Sequence, residues 1–470
     1  MSFEIQRTCA EGSGARRGLL AGRVHTPALL SQTHAGAPPF LLPAGVAALP
    51  GLDGLCVSFS DMYPYAKAIA ACNGEEEKKG GGGGGGLASF TAQADHALFV
   101  SCRDPGYVPV KANEVGGICV DGARGRKVVP AAEYARVLAA MRPAFAMAPA
   151  DELPQEGFGK KRCRTAVDRT VEWLDALLAE QTAVAEAAPP PRNPPVPVFG
   201  VVLGGLEPRL RAQSAAETAK RGVAGFVLAG FGLGESTAVR ASLLAEVLPL
   251  LPPASPRLLM GVGAPADVVA LVAGGIDALA AAYPLTLMQQ GYASTFDIPG
   301  VDRKAAVAAA AAEEKGASRR AKRPRLHGGG GGGSGGDEEQ EELTLGVAPG
   351  ATAAGDGDGG DPIVDASAAA RHGKIQLRDR RWKRDRRPLL PGCGCDTCRC
   401  YSRAYVTHLL NCNEMLASTL LYAHNLHHYL LFFEQMRKHI DAGQFASFAN
   451  HFGVELQSPP AQQAAEEEEG

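Results

Sequence analysis

The sequence lacks any apolar run of the about 20 residues that a bilayer span requires. Its first 17 residues contain no apolar core of the kind found in signal peptides, and Glu4 and Glu11 argue against a transit peptide. Strong charge imbalance is also missing, since the formal net charge is −3 and the pI is near 6.4. We therefore expect a soluble intracellular protein on which any nucleic-acid-binding surface is local.

Cysteine is sparse except in one short stretch. The chain has 11 cysteines, an odd number, and Cys393, Cys395, Cys398 and Cys400 lie close together. This clustering favours a metal site in a reducing compartment over a set of disulfides. Glycines next to Cys393 and Cys395 permit a tight turn, which would bring the first three sulfurs together.

A fourth ligand has to come from elsewhere in the chain. Apolar residues recur every three or four positions after Ser402, which predicts a helix with one apolar stripe. The stripe consists of Tyr405, Leu409, Cys412, Leu416, Leu420 and Ala423. His424 follows it, and composition alone leaves Cys400, His408, His427 and His428 as alternatives. The pattern predicts a closed, structural zinc site of the Cys₃His type.

Apolar runs alternate with helical segments between residues 196 and 284, and the runs end at glycine or alanine. Strands are predicted at 196–203, 225–229, 258–261 and 276–281. This alternation is typical of parallel β/α units, whose commonest closed form is a (β/α)₈ barrel. An open doubly wound sheet is the alternative, but the turn after the first of these runs lacks the glycine pattern of a dinucleotide site.

Composition also divides the chain. We expect a barrel at 16–303 with a flexible glycine-rich loop at 74–87, a low-complexity disordered insertion at 304–372, a zinc-binding subdomain with closing helices at 373–450, and a disordered acidic tail at 451–470. Within the insertion, the basic cluster Arg319–Arg325 is interpreted as a solvated charge run, with a nuclear import signal as the alternative.

A basic stretch, Lys374–Arg387, precedes the cysteines and has Trp382 at its centre. Such a stretch can neutralise several phosphates, and its aromatic side chain would be free to stack on a base. An exposed edge strand kept soluble by its charges is the alternative.

The motif Cys-Gly-Cys-x-x-Cys, followed by Ser-Arg-Ala-Tyr-x-x-His-Leu and His-Asn-Leu, resembles the zinc-binding end of the tRNA-guanine transglycosylases. The resemblance implies a modified (β/α)₈ barrel with a zinc-binding subdomain. It also implies that Cys393, Cys395, Cys398 and His424 hold one structural zinc ion. Because the family acts on tRNA, the basic stretch becomes an expected tRNA contact, through Arg378, Arg380, Arg381, Lys383 and Arg384.

The groups that would carry catalysis are missing. The strand ends at 203–205, 230–232, 261–263 and 280–284 offer glycine, alanine and large apolar groups. The resemblance places Ala280 where active members have their nucleophilic aspartate, Thr286 in place of an arginine, and Leu203 in place of the glutamine that reads the purine. The Asp-Ser-Gly-Gly motif of the general base is not found in the N-terminal half, although the acidic pair Asp151-Glu152 is present.

These losses resemble the non-catalytic member of the family's heterodimeric enzymes. They imply a chain that pairs with a catalytic subunit and helps to position tRNA while queuine replaces guanine at the wobble position. The expected partner surface is Ser402–Ile440, with a helix packed wholly against its own barrel as the alternative. Phe432, Phe433 and Met436 supply enough apolar surface for either. The expected location is the cytoplasm, with a peripheral place on the mitochondrial outer membrane left open.

Two other functions are kept as alternatives. One is an active base-exchange enzyme whose acid has moved, to Asp277 or Asp151. The other is a zinc-dependent nuclear interaction protein, directed by the Arg319–Arg325 cluster.

Overall fold

The structure is a computed structural model of the chain. It describes residues 2–9, 12–78, 85–107, 113–122, 125–153, 158–187, 194–305, 307 and 373–456. The cluster Arg319–Arg325, almost all of the predicted insertion and the end of the predicted tail lie outside the described residues.

Eight parallel strands form a closed barrel, in which β13 pairs with β4 to complete the ring. The strands are β4 (Ala28–Gln32), β5 (Gly54–Ser58), β6 (Ala97–Ser101), β9 (Phe145–Met147), β10 (Val198–Val202), β11 (Gly225–Leu228), β12 (Arg257–Met260) and β13 (Ala278–Ala281). They are short, apolar and almost entirely buried, as expected of parallel strands covered by helices on one face and packed side chains on the other. The predicted barrel is confirmed, and the open doubly wound sheet is excluded.

Three smaller sheets flank the barrel. An antiparallel sheet at the N-terminus contains β1 (Phe3–Thr8), β2 (Arg16–Leu20) and β3 (Val24–Thr26), and a hairpin contains β7 (Ile118–Gly122) and β8 (Gly125–Val129). The third sheet pairs β14 (Tyr292–Ser294) with β15 (Lys374–Gln376), on either side of the predicted insertion. Pairing of β14 with β15 therefore connects the barrel to the cysteine-rich segment.

Helices surround the barrel and build the C-terminal part. They are α1 (Pro43–Ala47), α2 (Phe59–Met62), α3 (Ala66–Lys78), α4 (Leu87–Phe90), α5 (Ala131–Met141), α6 (Lys160–Ala187), α7 (Pro208–Ala219), α8 (Thr237–Val247), α9 (Pro265–Ala273), α10 (Tyr283–Gln289), α11 (Asp396–Cys400), α12 (Arg403–Asn411), α13 (Met415–Asp441) and α14 (Phe445–His451). Short 3₁₀ turns occur at Tyr63–Tyr65, Leu248–Leu250 and Arg380–Trp382. No helix in the described part of the chain is both long and apolar enough to cross a membrane.

Helix α13 packs along the barrel and carries one of the predicted metal ligands. Its Tyr429 hydroxyl donates to the carbonyl of Gly263 at 2.5 Å, and Arg437 donates to the carbonyl of Pro27 at 2.9 Å. Phe432 is fully buried against Phe296 and Phe452. These contacts make α13 part of the barrel's own core, so the side chains that it presents to the cysteines are held rigidly.

Three predicted boundaries require correction. The glycine-rich loop was expected to begin at residue 74, but α3 continues to Lys78. The single helix expected after Ser402 is two helices, because Asn413 has a positive φ of 55° and ends the first of them. Finally, α14 extends to His451 and Phe452 packs on the core, so the predicted tail cannot begin at residue 451.

Candidate metal centre and barrel mouth

The three cysteines lie on a tight turn and on the short helix that follows it. Gly392 has φ +75°, and a Cβ there would lie 2.6 Å from the carbonyl oxygen of Arg303, so both the turn and the close packing require glycine. Cys395 caps α11, since its Sγ accepts the backbone N–H of Cys398 at 3.4 Å. This cap holds the second and third sulfurs on the same side of the turn.

His424, from the middle of α13, completes the cluster. Its Nδ1 is 3.8 Å from Sγ of Cys393, 3.5 Å from that of Cys395 and 3.3 Å from that of Cys398. Tetrahedral zinc with ordinary Zn–S and Zn–N bonds separates sulfur from nitrogen by about 3.6 Å. All four ligand atoms lie within 4.8 Å of one another. The four residues therefore fit one zinc ion in a closed, structural site.

The second ring nitrogen of His424 fixes its protonation. Nε2 is 2.9 Å from the carbonyl oxygen of Ser294 in β14 and must donate to it. Nε2 keeps its proton in this bond, so Nδ1 is the nitrogen that faces the sulfurs and would bind a metal. Asn425 reinforces the arrangement: its side chain accepts from the N–H of Ser294 at 2.8 Å and donates to the carbonyl of Tyr292 at 2.9 Å.

The electrostatics of the cluster call for a cation. Hydrogen bonds from Cys395 and Cys398 lower the pKa of Cys393, whereas the interaction with Cys393 raises the pKa of Cys398. Burial opposes the charged form of His424, but the neighbouring sulfurs of Cys393 and Cys395 raise its pKa to about 10. Three cysteines this close, two of them buried, cannot all ionise without a compensating charge, which zinc supplies when bound.

The other candidate ligands are elsewhere. Cys400 is exposed, and His408 is near Cys412, outside the cluster. His428 is buried one turn beyond His424, where it hydrogen-bonds to the carbonyl of Phe296 and to Arg303. The structure therefore selects His424 among the histidines that composition left open.

The barrel mouth is formed by the carboxyl ends of the strands, where enzymes with this architecture place their reactive groups. Ala280 is fully buried in β13. A cleft of about 230 Å³ lies beyond the strand ends and is lined by Pro105, Gly106, Tyr107, Gly232, Leu233, Gly261, Gly263, Ala282, Tyr283 and Thr286. A Cβ on Gly106 would lie 2.9 Å from that of Ala282, so the loop after β6 packs directly against the end of β13.

One carboxylate at the mouth was missed by the sequence reasoning. Asp104 follows β6, and the side-chain amide of Gln32 lies 2.5 Å from its carboxylate oxygens. The carboxylate also accepts the N–H of Gly106 at 2.7 Å. The signal in the sequence is an acidic residue three positions after the apolar run at 97–101. Asp104 is held in place by its own chain and orders the loop against Ala282.

The acidic residues proposed as a moved acid are engaged in ion pairs. Asp151 is fully buried, and Arg162 and Arg169 contact it at 2.7 and 3.2 Å. Asp277 precedes β13, at the opposite end of the barrel from the mouth, and both its oxygens accept from Arg16 at 2.7 Å. Neither carboxylate faces the cleft as a free base.

The basic stretch is exposed, but its tryptophan is not. Trp382 is buried, donates its indole N–H to the carbonyl of Gln376 at 2.8 Å and packs beneath Arg403. The prediction of a free stacking aromatic is therefore wrong. The residues around it are charged, which conceals its packing role in the sequence.

The five expected tRNA contacts fall into two groups. Arg378 donates to the carbonyl of Leu410 at 3.0 Å, and Arg381 pairs with Asp379 at 2.5 Å. The side chains of Arg380, Lys383 and Arg384 are exposed and make no hydrogen bond or ion pair within the described residues. Nearby, burial acts to raise the pKa of Asp385, but bonds from Arg387 and Arg403 dominate and lower it to about 2, which keeps the segment anchored.

The expected partner surface is only partly accessible. Phe432, Phe433 and Met436 are buried in the chain's own core, so at these positions the helix packs against its own barrel. Exposed apolar side chains occur instead on α12 and at the start of α13: Tyr405, Met415 and Leu416, of which Met415 is 75% exposed. These three residues are called the α12–α13 patch below.

Fold and metal centre together define a barrel protein of the tRNA-guanine transglycosylase class, and comparison with known proteins agrees. The family model described as queuine tRNA-ribosyltransferase matches residues 11–458, and the chain belongs to this family. It is 32% identical over 463 residues to a Danio rerio protein named queuine tRNA-ribosyltransferase accessory subunit 2, covering 96% of this chain and 98% of the relative. A Xenopus tropicalis protein of the same name is 30% identical over 451 residues, covering 93% and 96%.

A bacterial relative is also similar, over a shorter part of the chain. The Thermus thermophilus protein named queuine tRNA-ribosyltransferase is 26% identical over 302 residues, which is 64% of this chain and 56% of the relative. The vertebrate relatives thus match nearly end to end, whereas the bacterial protein matches about two thirds of the chain.

Proposed function

We propose that this chain is the non-catalytic subunit of a heterodimeric queuine tRNA-ribosyltransferase, which exchanges guanine for queuine at the wobble position of tRNA. The observation that carries the proposal is Ala280, whose methyl group stands in the barrel strand where active family members have a nucleophilic aspartate. The accessory-subunit names of the end-to-end relatives support the same assignment.

The surroundings of Ala280 support this proposal. Glycine and alanine dominate the cleft wall, and the loop carrying Asp104 is packed against Ala282. Asp151 and Asp277 are each paired with arginine, so neither carboxylate is free to replace the missing catalytic aspartate. Covalent catalysis requires an activated nucleophile within reach of a base, and these residues do not supply one.

Partner and substrate would use different surfaces. The α12–α13 patch offers apolar area for the catalytic subunit, because clustered exposed apolar side chains favour protein contacts. Arg380, Lys383 and Arg384 offer unpaired positive charge for phosphates of the tRNA. The partner would supply the nucleophile and the purine pocket, while zinc would keep the segment that carries both surfaces folded.

Labelled guanine exchange into cognate tRNA tests the proposal directly. It would be measured with this chain alone, with a catalytic subunit alone and with both together. We expect no exchange by this chain alone and a strong gain when the two are mixed. Exchange by this chain alone would overturn the proposal, and Asp104→Asn would then test the carboxylate at the mouth.

We infer a cytoplasmic location, with the mitochondrial outer membrane as the surface for any peripheral attachment. All 11 cysteines are free thiols in the structure, which suits a reducing compartment. Cell fractionation with and without carbonate extraction distinguishes free protein from peripheral protein. Recovery in the secretory pathway would contradict the inference.

A further inference from the structure

Two histidines spaced one helical turn apart join helix α13 to the end of strand β14 and to the residues that follow it. Nε2 of His424 donates to the carbonyl of Ser294, and Nε2 of His428 donates to the carbonyl of Phe296 at 3.0 Å. The two rings are parallel within 8°, and their centroids are 6.1 Å apart. Each imidazole thus donates from Nε2 to a backbone carbonyl and has Nδ1 on its other side.

Nδ1 of His424 faces the cysteine sulfurs, and Nδ1 of His428 faces Arg303. Nη2 of Arg303 is 3.2 Å from Nδ1 of His428. Because the proton of His428 is held on Nε2, its Nδ1 can only accept, and Arg303 donates. This bond holds the guanidinium of Arg303 beside His428, one turn of α13 beyond the metal ligand His424.

Arg303 also contacts the turn that carries the cysteines. Its backbone lies within 3.0 Å of the position of a Cβ on Gly392, the residue before Cys393. Nη1 of its guanidinium is buried and has no hydrogen-bond partner among the described residues. Burial lowers the pKa of Arg303, whereas the charges of Cys393, Asp297 and Cys398 act in the opposite direction.

A zinc ion bound by three thiolates and one neutral imidazole has a net charge of −1. The buried Nη1–H group of Arg303 has no partner among the described residues that would hold it elsewhere. We propose that Arg303 supports the zinc centre from outside the ligand set: its positive charge, held beside the cysteine turn, offsets the excess negative charge of the occupied site. His428 acts as the support that orients the guanidinium. This role makes Arg303 a positioning residue of the metal centre, and it rests on the ligand geometry and not on the proposed function.

Metal release tests this role without any enzyme assay. Zinc-loaded wild-type protein, Arg303→Met, Arg303→Gln and Arg303→Lys would be mixed with a chromogenic chelator, and Lys304→Met serves as the control because Lys304 is an exposed neighbour with the same charge. Loss of groups that support metal ligands typically weakens binding by about 10- to 100-fold. We expect faster release of about that size for the methionine and glutamine variants, partial recovery with lysine, and wild-type release for Lys304→Met.

Cobalt substitution separates the charge effect from a general loss of packing. The thiolate-to-cobalt charge-transfer band responds to positive charge near the sulfurs, so we expect it to shift in Arg303→Gln and to shift less in Arg303→Lys. If the methionine variant fails to fold, the glutamine and lysine pair still decides the question. Equal release rates and identical cobalt spectra for wild type, Arg303→Gln and Arg303→Lys would overturn the proposal.

Discussion

Glu152 and Arg103 form a two-point ion pair behind the barrel mouth, with N–O distances of 2.6 and 2.8 Å. Glu152 also accepts the N–H of Gly230 at 2.8 Å, and both side chains are largely buried. The pair connects the segments that follow β6, β9 and β11. An acidic residue near the expected catalytic end of the barrel is thus used to hold three strand ends together.

Glu152→Gln should therefore destabilise the fold. The substitution leaves Arg103 buried with no counter-charge, and breaking a buried pair in this way typically costs about 3–5 kcal/mol. The free energy of unfolding in urea at pH 7 measures the loss. Glu217→Gln is the matched control, because Glu217 is a surface residue on α7 and pairs with Lys220, the residue after that helix; we expect little change there. Equal stability of the Glu152→Gln variant and wild type would contradict the assignment.

The same pair predicts a pH dependence. Burial acts to raise the pKa of Glu152, but Arg103 dominates and the net pKa is below the ordinary value. A lowered folded-state pKa means that the pair's contribution is fully present above the unfolded pKa of about 4.3 and is lost as the pH falls through the folded value. The stability difference between wild type and Glu152→Gln should stay constant from pH 8 to 6 and shrink below about pH 4. A difference independent of pH would contradict this.

Removal of one zinc ligand should loosen the C-terminal part before the barrel. His424→Ala deletes the only nitrogen ligand, and structural zinc sites contribute their binding energy to folding. We expect loss of the one bound zinc ion, seen by elemental analysis, and faster hydrogen exchange over residues 390–430. Cys400→Ser is the control, because Cys400 is exposed and outside the cluster. Full zinc content in His424→Ala, or loss of zinc in Cys400→Ser, would contradict the ligand set.

The sequence predicts the parts of the metal site that are formed by residues close together in the chain, and not the parts that depend on distant contacts. Cys393, Cys395 and Cys398 are close in sequence, so their glycine-spaced turn is readable directly. The choice of His424 over His428 is not, because both lie on the same face of α13 and both bond to backbone carbonyls through Nε2. They differ in that the cysteine sulfurs face Nδ1 of His424 and Arg303 faces Nδ1 of His428. The resemblance to a known family supplied that choice.

Other features depend on contacts that no local pattern encodes. Trp382 lies among charged residues, and its burial follows from packing under Arg403, which is distant along the chain. Asn413 interrupts what reads as one continuous apolar stripe, because its left-handed conformation ends α12. The barrel itself was predictable, since a repeated strand and helix alternation leaves few ways to bury every strand.

The α12–α13 patch predicts where association can be broken. Met415→Glu places a charge on an apolar side chain that is 75% exposed in the single chain. At an interface such a change removes packing and buries an unpaired charge, so we expect weaker heterodimer formation by about 2 kcal/mol, roughly thirtyfold in Kd. Titration calorimetry with the catalytic subunit measures it. Val239→Glu, on the barrel helix α8, is the control with a similar change at an exposed apolar position. An unchanged Kd for Met415→Glu would place the partner elsewhere.

Finally, the three unpaired cations of the basic stretch should contribute to tRNA binding through phosphates. Each phosphate contact adds about 0.7–0.9 to the salt slope of log K. Substituting Arg380, Lys383 and Arg384 together with alanine should weaken binding of tRNA by the assembled heterodimer and reduce the slope by about 2–3. Arg381→Ala should have a smaller effect than any one of the three, because Asp379 already neutralises Arg381.

Binding would be measured over a range of salt concentrations, with zinc content and dimer assembly checked for each variant. A triple variant with wild-type affinity and slope would show that this surface does not contact the tRNA, and that the three charges serve solubility.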